Sequence, residues 1–391
     1  MRDIIIVGAG PGGSATAKFL AERGYDVILY EKRQEIGAPK RCAEGISLGG
    51  LERLKLNPPA NCIRQKINGA RIYAPNGKFV EIDYGKDSGY ILERKIFDKW
   101  LAEEAARKGA KIQAKTYIKE VLKEDGKIVG VRGEFIGKEF SEKCKVLVAA
   151  DGIESKISKI AGLNTTCNPL LVDSGIQFEM TGIEIEDPKK IYLYFGNKIA
   201  PRGYLWLFPK GKDVANVGIG IIGNSEVPAI NYLKKFIESK SELRKGSILE
   251  VNAGGIPVGG FLKKMTLDNF LVVGDAAHQV NPIHGGGIYE AQFAGRIAAE
   301  VIDEALQKRD TSEKQLNKYN IEWWKQRGIY LRKVEKLREV VEKLSDDDFN
   351  YLAENLTGED LINFSRGRGL KTLGKLLIKR PNLIKFAKAL F

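Results

Sequence analysis

Histidine and cysteine are scarce in this chain, at 2 and 4 residues in 391. The cysteines (Cys42, Cys62, Cys144 and Cys167) are widely spaced and form no C-x-x-C pair, which argues against a disulfide scaffold, a zinc site or an iron–sulfur centre. With only His278 and His284 available, a histidine metal site is not expected either. Long apolar runs are also missing: nothing approaches the roughly 18 consecutive apolar residues of a membrane-crossing helix. The N-terminus runs straight into strand-like sequence and leaves no room for a signal peptide. The expectation is a cytoplasmic protein, or one held on the cytoplasmic face of a membrane. Lys, Arg and Glu are plentiful while His, Met and Cys are few, a composition that fits a heat-adapted organism. The net charge of +13 favours anionic partners such as phosphates and acidic lipid. No nucleic-acid motif accompanies it, so nucleic acid is not an expected partner.

Against these absences stands one glycine-rich unit. Ile4, Ile5, Ile6 and Val7 form a continuous apolar run, as in a strand buried on both faces. Gly8, Gly10 and Gly13 follow in G-x-G-x-x-G spacing. A helix-type pattern with Ala15, Phe19 and Leu20 on one face comes next, then a second strand, Val27 to Tyr30, ending at Glu31. In this strand–turn–helix–strand context the motif reads as a dinucleotide site. Gly8 permits the tight turn, Gly10 admits a pyrophosphate to the backbone and Gly13 lets helix and strand pack closely. The bare N–H groups of the helix start face the phosphates. Glu31 can accept both ribose hydroxyls and would repel a 2′-phosphate, so FAD or NAD fits better than NADP.

The remaining chain divides into recognisable stretches. Residues 32–47 form a long loop in which Cys42 stands between Lys40, Arg41 and Glu44. Residues 71–84 predict a hairpin around Asn76-Gly77, and Tyr90 to Leu92 a short strand. Arg94 opens a helix with Ile96, Phe97, Trp100, Leu101 and Ala105 on its apolar face and Gly109 at its end. Strands are expected at 111–114 and 117–122, with a hairpin around Asp125-Gly126. The apolar run 145–150 stops at Asp151-Gly152, which can bring the Asp151 backbone or carboxylate near a bound cofactor or simply make a turn. Residues 171–222 alternate as an antiparallel sheet. In it Tyr204, Trp206 and Phe208 share one face and Leu205 and Leu207 the other. A basic helix is expected over 231–247, a loop over Asn252 to Pro257, and a strand ending at Gly274-Asp275. The loop Pro282 to Gly287 then leads into a helix from Ile288 to Leu306. Residues 311–343 predict charged helix. Residues 361–391 have basic amphipathic periodicity, fitting either an anionic lipid surface or a helical cap on the protein.

Taken together, Gly8-x-Gly10-x-x-Gly13 with Glu31, Asp151-Gly152, and Gly274-Asp275-Ala276-Ala277-His278 followed by Pro282 resemble the flavoprotein hydroxylase superfamily, of the p-hydroxybenzoate hydroxylase fold. Arg41-Cys-Ala-Glu-Gly45, the Gly203-to-Pro209 motif and the Gly285-Gly-Gly287 loop are more specific and resemble the geranylgeranyl reductase family, in its archaeal, ether-lipid branch. Ala43 departs from the glycine frequent there, and Asp151-Gly152 lacks the later proline of hydroxylases. The resemblance implies an α/β (α+β) fold: a Rossmann-like FAD-binding domain (1–70, 91–170 and 263–310), an antiparallel-sheet substrate domain (71–90 and 171–262) and a C-terminal helical region (311–391). It implies non-covalent FAD and an oxidoreductase that hydrogenates C=C bonds of geranylgeranyl chains in membrane lipid biosynthesis. By motif position, Gly8, Gly10, Gly13 and Glu31 would hold pyrophosphate and ribose, and Cys42, Ala43 and Gly45 would line the flavin. Arg94 would reach the cofactor, Ile118 would sit near the adenine end, Asp275 would hold the ribityl chain or pyrophosphate, and Gly287 and Ile288 would meet the isoalloxazine edge. Tyr204 and Trp206 would line the prenyl channel, and Cys42 is the candidate proton donor. No second dinucleotide motif is present, so the electron donor is external: NAD(P)H, a ferredoxin or reduced F420. A flavin monooxygenase acting on a hydrophobic substrate, and a non-catalytic flavin protein of the membrane surface, are the competing readings.

Overall fold

The computed structural model describes residues 1–365 and the single positions Leu376, Arg380 and Ile384. In chain order, β1 (Arg2–Val7), α1 (Pro11–Ala21) and β2 (Val27–Tyr30) make the opening unit. β3 (Gly45–Ser47), α2 (Leu48–Leu54), β4 (Ile63–Ile67), the hairpin of β5 (Gly69–Tyr73) and β6 (Phe79–Asp83), and β7 (Gly89–Leu92) follow. α3 (Arg94–Arg107) leads to β8 (Lys111–Gln113), and β9 (Thr116–Glu124), β10 (Lys127–Phe135) and β11 (Lys138–Ala149) form a meander. After α4 (Lys156–Ala161) come β12 (Val172–Thr181), β13 (Lys190–Tyr194), β14 (Tyr204–Pro209) and β15 (Val214–Ile222). α5 (Ala229–Ser239) and α6 (Ser241–Arg244) precede β16 (Ser247–Pro257), β17 (Thr266–Leu267) and β18 (Phe270–Val272). A 3₁₀ turn, Gly274–Ala277, and α7 (Ile288–Gln307) complete the site-forming part. α8 (Glu313–Leu316), α9 (Lys318–Trp323), a π turn (Trp324–Gly328), α10 (Ile329–Val341), α11 (Asp346–Asn355) and α12 (Gly358–Ser365) follow.

Three sheets organise these elements. In the first, β18, β11, β1, β2 and β8 run parallel, with β17 antiparallel on one edge and the β9–β10 meander leaning on β11. Ile4, Ile5, Ile6 and Val146 to Ala149 have no exposed surface, because α1, α7 and the meander residues Ile118, Ile128 and Val131 pack into one core with them. α1 and α7 pack closely over it. A Cβ on Gly295 would lie 2.7 Å from the Gly12 carbonyl, so only a glycine allows this approach. Gly8 turns the chain at φ +106, and a Cβ there would lie 2.2 Å from the Ala150 oxygen. The second sheet has seven strands in the order β16-β12-β15-β14-β13-β5-β6. It is antiparallel except where β5 joins β13 in parallel, a crossover that local alternation could not reveal. One face, with Leu205, Leu207, Val217 and Ile219, packs on α5. A small third sheet, β3-β7-β4, faces its other side.

Several expectations need correction. Asn252 to Pro257 is not a loop: it is the end of β16, which pairs with β12 from Ser247 through Pro257. The basic helix over 231–247 is two helices, broken at Lys240, which is extended and places its ammonium over Tyr194 and Phe236. On α3, Ile96 is exposed and Asp98 is buried, because Asp98 pairs with Arg94 one turn away. The charged helix over 311–343 breaks into α8, α9, a π turn and α10. Its Leu316, Tyr319, Trp323 and Leu331 pack into the core of the parallel sheet. Among the described residues no helix is long and apolar enough to cross a membrane. The expected amphipathic stretch at 361–391 lies largely outside the described residues.

Candidate active site

The glycine cradle closes around an open position. A Cβ on Gly13 would fall 1.9 Å from the Gly8 oxygen, whereas one on Gly10 would meet nothing within 4 Å. Gly10 caps α1 without any side-chain partner, so the first N–H groups of that helix are free for an anion. Glu31 stands at the end of β2, where its carboxylate accepts from the backbone N–H groups of Ala9 and Arg33, each at 3.0 Å. The Ala150–Asp151 backbone lies against Gly8. The Asp151 carboxylate turns away to accept from Ile157 N–H at 3.0 Å, and burial pushes its pKa up. The Ile118 side chain is buried in the core of the parallel sheet, so only its main chain is left to meet a nucleotide base.

The other end of the cradle is built by the turn after β18 and the loop before α7. Asp275 is the second residue of the 3₁₀ turn, and a Cβ on Gly287 would lie 2.9 Å from its Oδ1. Among the described residues its carboxylate has no hydrogen-bond partner. Burial pushes its pKa up, while the charges of Arg94 and His278 pull it down. Arg94 grips Asp98 with two bonds of 2.7 Å and stands beside Cys42. Ile288 is buried in a small cluster against which Cys42 packs, and Gly45 meets the Phe208 ring. The Gly285 backbone touches Ile256 of β16, the segment expected as a loop. His278 is absorbed by the fold, its two ring nitrogens facing the carbonyls of Gly260 and Thr165 at 2.8 and 3.1 Å.

Trp206 and Phe208 are buried on the sheet face opposite Leu205 and Leu207, with Tyr204 half-buried beside them and Ile67 and Ile91 across from them. The Tyr204 hydroxyl donates to the His284 carbonyl at 2.9 Å. Arg94, Tyr204 and Asp275 are half-buried here, and His284 keeps an exposed surface. Enclosure pushes the His284 imidazole down to about 4, leaving it neutral near pH 7. The wall is tied to the cysteine loop: Trp206 Nε1 donates to Gln177 Oε1 at 3.0 Å, and Gln177 Nε2 donates to the Cys42 carbonyl at 3.0 Å.

Sequence reasoning passed over a buried charge cluster below this loop. Glu44 Oε2 accepts from Lys40 at 3.1 Å, Lys210 at 2.8 Å and Asn216 at 2.7 Å. Lys210 also reaches Glu93 and Glu179, and Lys40 pairs with Glu179. Burial works against the charge of Glu44, but Lys210 and Lys40 outweigh it and hold its pKa low. A groove of about 380 Å³ lined by Asn61, Arg64, Glu93, Lys95, Glu179 and Glu250 opens beside the cluster. Its three acids already hold lysines, so it is the solvent side of the cluster rather than a substrate cavity. The available signal was position: Glu44 lies inside the Arg41-to-Gly45 motif, and Lys210 directly follows Gly203-to-Pro209.

Comparison with known proteins agrees with this arrangement. Residues 172–256 match the model of the geranylgeranyl reductase catalytic domain, and residues 1–195 that of an FAD binding domain. The chain is 43% identical to a digeranylgeranylglycerophospholipid reductase of Methanocaldococcus jannaschii over 99% of its length and 98% of the relative's. It is 42% identical to the protein of that name from Methanocella arvoryzae, over 98% and 97% of the two chains. A geranylgeranyl bacteriochlorophyll reductase-like protein of Thermoplasma acidophilum superposes with a TM-score of 0.90 at 33% identity, covering 100% of this chain and 99% of its own. The myxobacterial halogenase CndH, at 18% identity and a TM-score of 0.71 over 94% and 90% of the two chains, shares the fold alone.

Proposed function

The chain belongs to the digeranylgeranylglycerophospholipid reductase family, and from that membership we propose how its site works. It is an FAD-dependent oxidoreductase that reduces the C=C bonds of geranylgeranyl chains in archaeal ether phospholipids, toward saturated phytanyl-type chains. The residues present fit FAD: a glycine cradle that a side chain would fill, Glu31 at the ribose distance of the motif, and an enclosed Asp275 carboxylate without a partner. When bound, FAD supplies the hydride, and its electrons come from an external donor, whether NAD(P)H, a ferredoxin or reduced F420.

The protein's own part is binding, orientation and the proton. Gly8, Gly10, Gly13 and Glu31 take the pyrophosphate and ribose, with the Ile118 main chain at the adenine end. Asp275 takes the ribityl hydroxyls or the pyrophosphate. Cys42, Ala43, Gly45, Arg94, Gly287 and Ile288 surround the ring system. Tyr204, Trp206 and Phe208 hold the prenyl chain against it and keep water out. Each double bond takes up one hydride and one proton, and in this reading Cys42 gives the proton. In this reading residues 1–70, 91–170 and 263–310 carry the cofactor, and 71–90 with 171–262 carry the lipid.

The observation that carries the proposal is the aromatic face of β14, which ends on the cysteine loop and is tied to it through Gln177. The test is mass spectrometry of lipid extracted with the protein and then incubated with dithionite-reduced enzyme. Mass gains in steps of two hydrogens are expected. Gain of oxygen would mean a monooxygenase, and no change would overturn the reading. We also place the enzyme peripherally on the inner face of the membrane. Support comes from the net charge of +13 and from an exposed helical stripe in which Ile321, Ile329 and Tyr330 are 58%, 58% and 53% exposed beside Lys325 and Lys333.

A further inference from the structure

We infer that Glu44 is the positioning residue for Cys42, fixing where the thiol sits relative to the cofactor and the prenyl wall. The backbone of Glu44 is left-handed, at φ +75, in a residue that is not glycine. Such a conformation is unfavourable for a residue with a side chain and persists only where the surroundings impose it. Here they do, since the side chain has no exposed surface and every polar group of the residue is engaged. Oε1 accepts from the backbone N–H of Arg94 at 2.7 Å, where α3 begins. Oε2 accepts from Lys40, Lys210 and Asn216. The carbonyl accepts from Leu92 N–H at 2.9 Å. The one remaining group, its N–H, points at Cys42 Sγ at 3.1 Å.

The anchors come from five separate places: the cysteine loop itself, the strand β7, the strand β15, the residue after β14, and the N-terminus of α3. The neighbouring carbonyls are held from the same sheet, Cys42 by Gln177 at 3.0 Å and Ala43 by Asn216 at 3.3 Å. Glu44 itself has no exposed surface, so its influence runs through the residue two places before it. An ion cluster built only for stability would not need a strained backbone whose N–H ends on the one half-exposed sulfur beside Arg94.

The inference rests on the reading that Cys42 faces the flavin, and its test separates the two. Glu44→Gln keeps the shape and removes the charge. In FAD-loaded protein, the iodoacetamide labelling rate of Cys42, read by peptide mass mapping, is expected to change about tenfold, since thiol reactivity follows its surroundings. For lipid reduction, kcat is expected to fall about 10- to 100-fold with KM little changed, as a misplaced reacting group costs rate rather than binding. In a Cys42→Ala background the same substitution should cost nothing further. An unchanged labelling rate, or an equal loss of kcat without the thiol, overturns the proposal. Should Glu44→Gln fail to fold, Asn216→Ala removes one donor to Glu44 and one to Ala43, and a smaller change of labelling in the same direction is required. If wild-type protein reduces no lipid but the labelling rate still shifts, the positioning stands and the proposed reaction falls.

Discussion

A thiol is a weak acid for an alkene carbon, so the contribution of Cys42 depends on how it is held. Arg94 stands beside it, Glu44 N–H meets its sulfur and Gln177 fixes its carbonyl. If Cys42 gives the proton, Cys42→Ala should keep its FAD spectrum and lose about 100-fold or more in kcat. Full turnover with FAD bound would remove the role. Gly287 offers a cofactor test. A methyl group there would lie 2.9 Å from Asp275 Oδ1 and fill the gap between that carboxylate and the α7 entry. Gly287→Ala is therefore expected to weaken FAD binding about tenfold, measured by flavin fluorescence on dilution, with little loss of fold stability. Asp173 gives a pH signature. Burial pushes its carboxyl up to about 6, above the ordinary 3.8, with Arg338 pulling the other way. A group whose folded value is raised favours the fold while protonated, and that advantage is lost as pH rises through about 4 to 6. Asp173→Asn should thus gain roughly 1–3 kcal/mol over wild type at pH 8 and nothing at pH 4, by urea denaturation.

Between elements, the charge cluster is where sheet and loop are joined. Lys210 has 2% exposure and meets Glu44, Glu93 and Glu179 within 3.0 Å. Lys210→Met would leave these acids with Lys40 alone at the centre, and removing one partner of a buried ion group costs about 3–5 kcal/mol. A drop of that size in urea-unfolding free energy at pH 7 is expected, shrinking as acid protonates Glu44, whose depressed value makes its contribution one that is lost as pH falls. The sequence marks Glu44 and Lys210 by their motif positions but not their pairing, because Lys40 and Glu179 lie 139 residues apart and Lys210 and Glu44 lie 166 apart. Periodicity and turn chemistry are local, and they served where the cause was local. The unit from β1 to β2 follows from a run of β-branched residues and three glycines. The two faces of β14 follow from strict alternation, and the structure puts Leu205 and Leu207 in one cluster and Trp206 and Phe208 in another. β16 was misread because Asn252, Gly254, Gly255 and Pro257 carry turn signals. Ten residue pairs with β12, from Ser247 to Pro257, override them.

For the molecule as a whole, the proposed docking on a lipid surface can draw on two kinds of contact. Charge and apolar contact predict different responses. A net charge of +13 would draw the protein to anionic vesicles at low salt, each lysine or arginine near the surface adding about 1 kcal/mol. That attraction fades as the screening length falls from about 30 Å at 0.01 M salt to about 8 Å at 0.15 M. The stripe of Ile321, Ile329 and Tyr330 would add a part that salt does not remove, since burying an apolar side chain is worth about 1.5–3 kcal/mol. Ile321 and Ile329 are eight positions apart across the π turn, whose wider winding brings them to one side of the helix pair with Lys325 between them. Co-sedimentation with phosphatidylglycerol vesicles should therefore fall with salt but not to zero. The double variant Ile321→Ser with Ile329→Ser should abolish the residual binding at high salt and leave turnover on detergent-dispersed lipid unchanged. Both residues lie on the outer side of helices whose Trp323 and Leu331 are fully buried, so the fold does not depend on them. Residual binding that survives in the variant would shift docking away from this stripe. Binding that vanishes completely with salt in the wild type would make the association electrostatic alone.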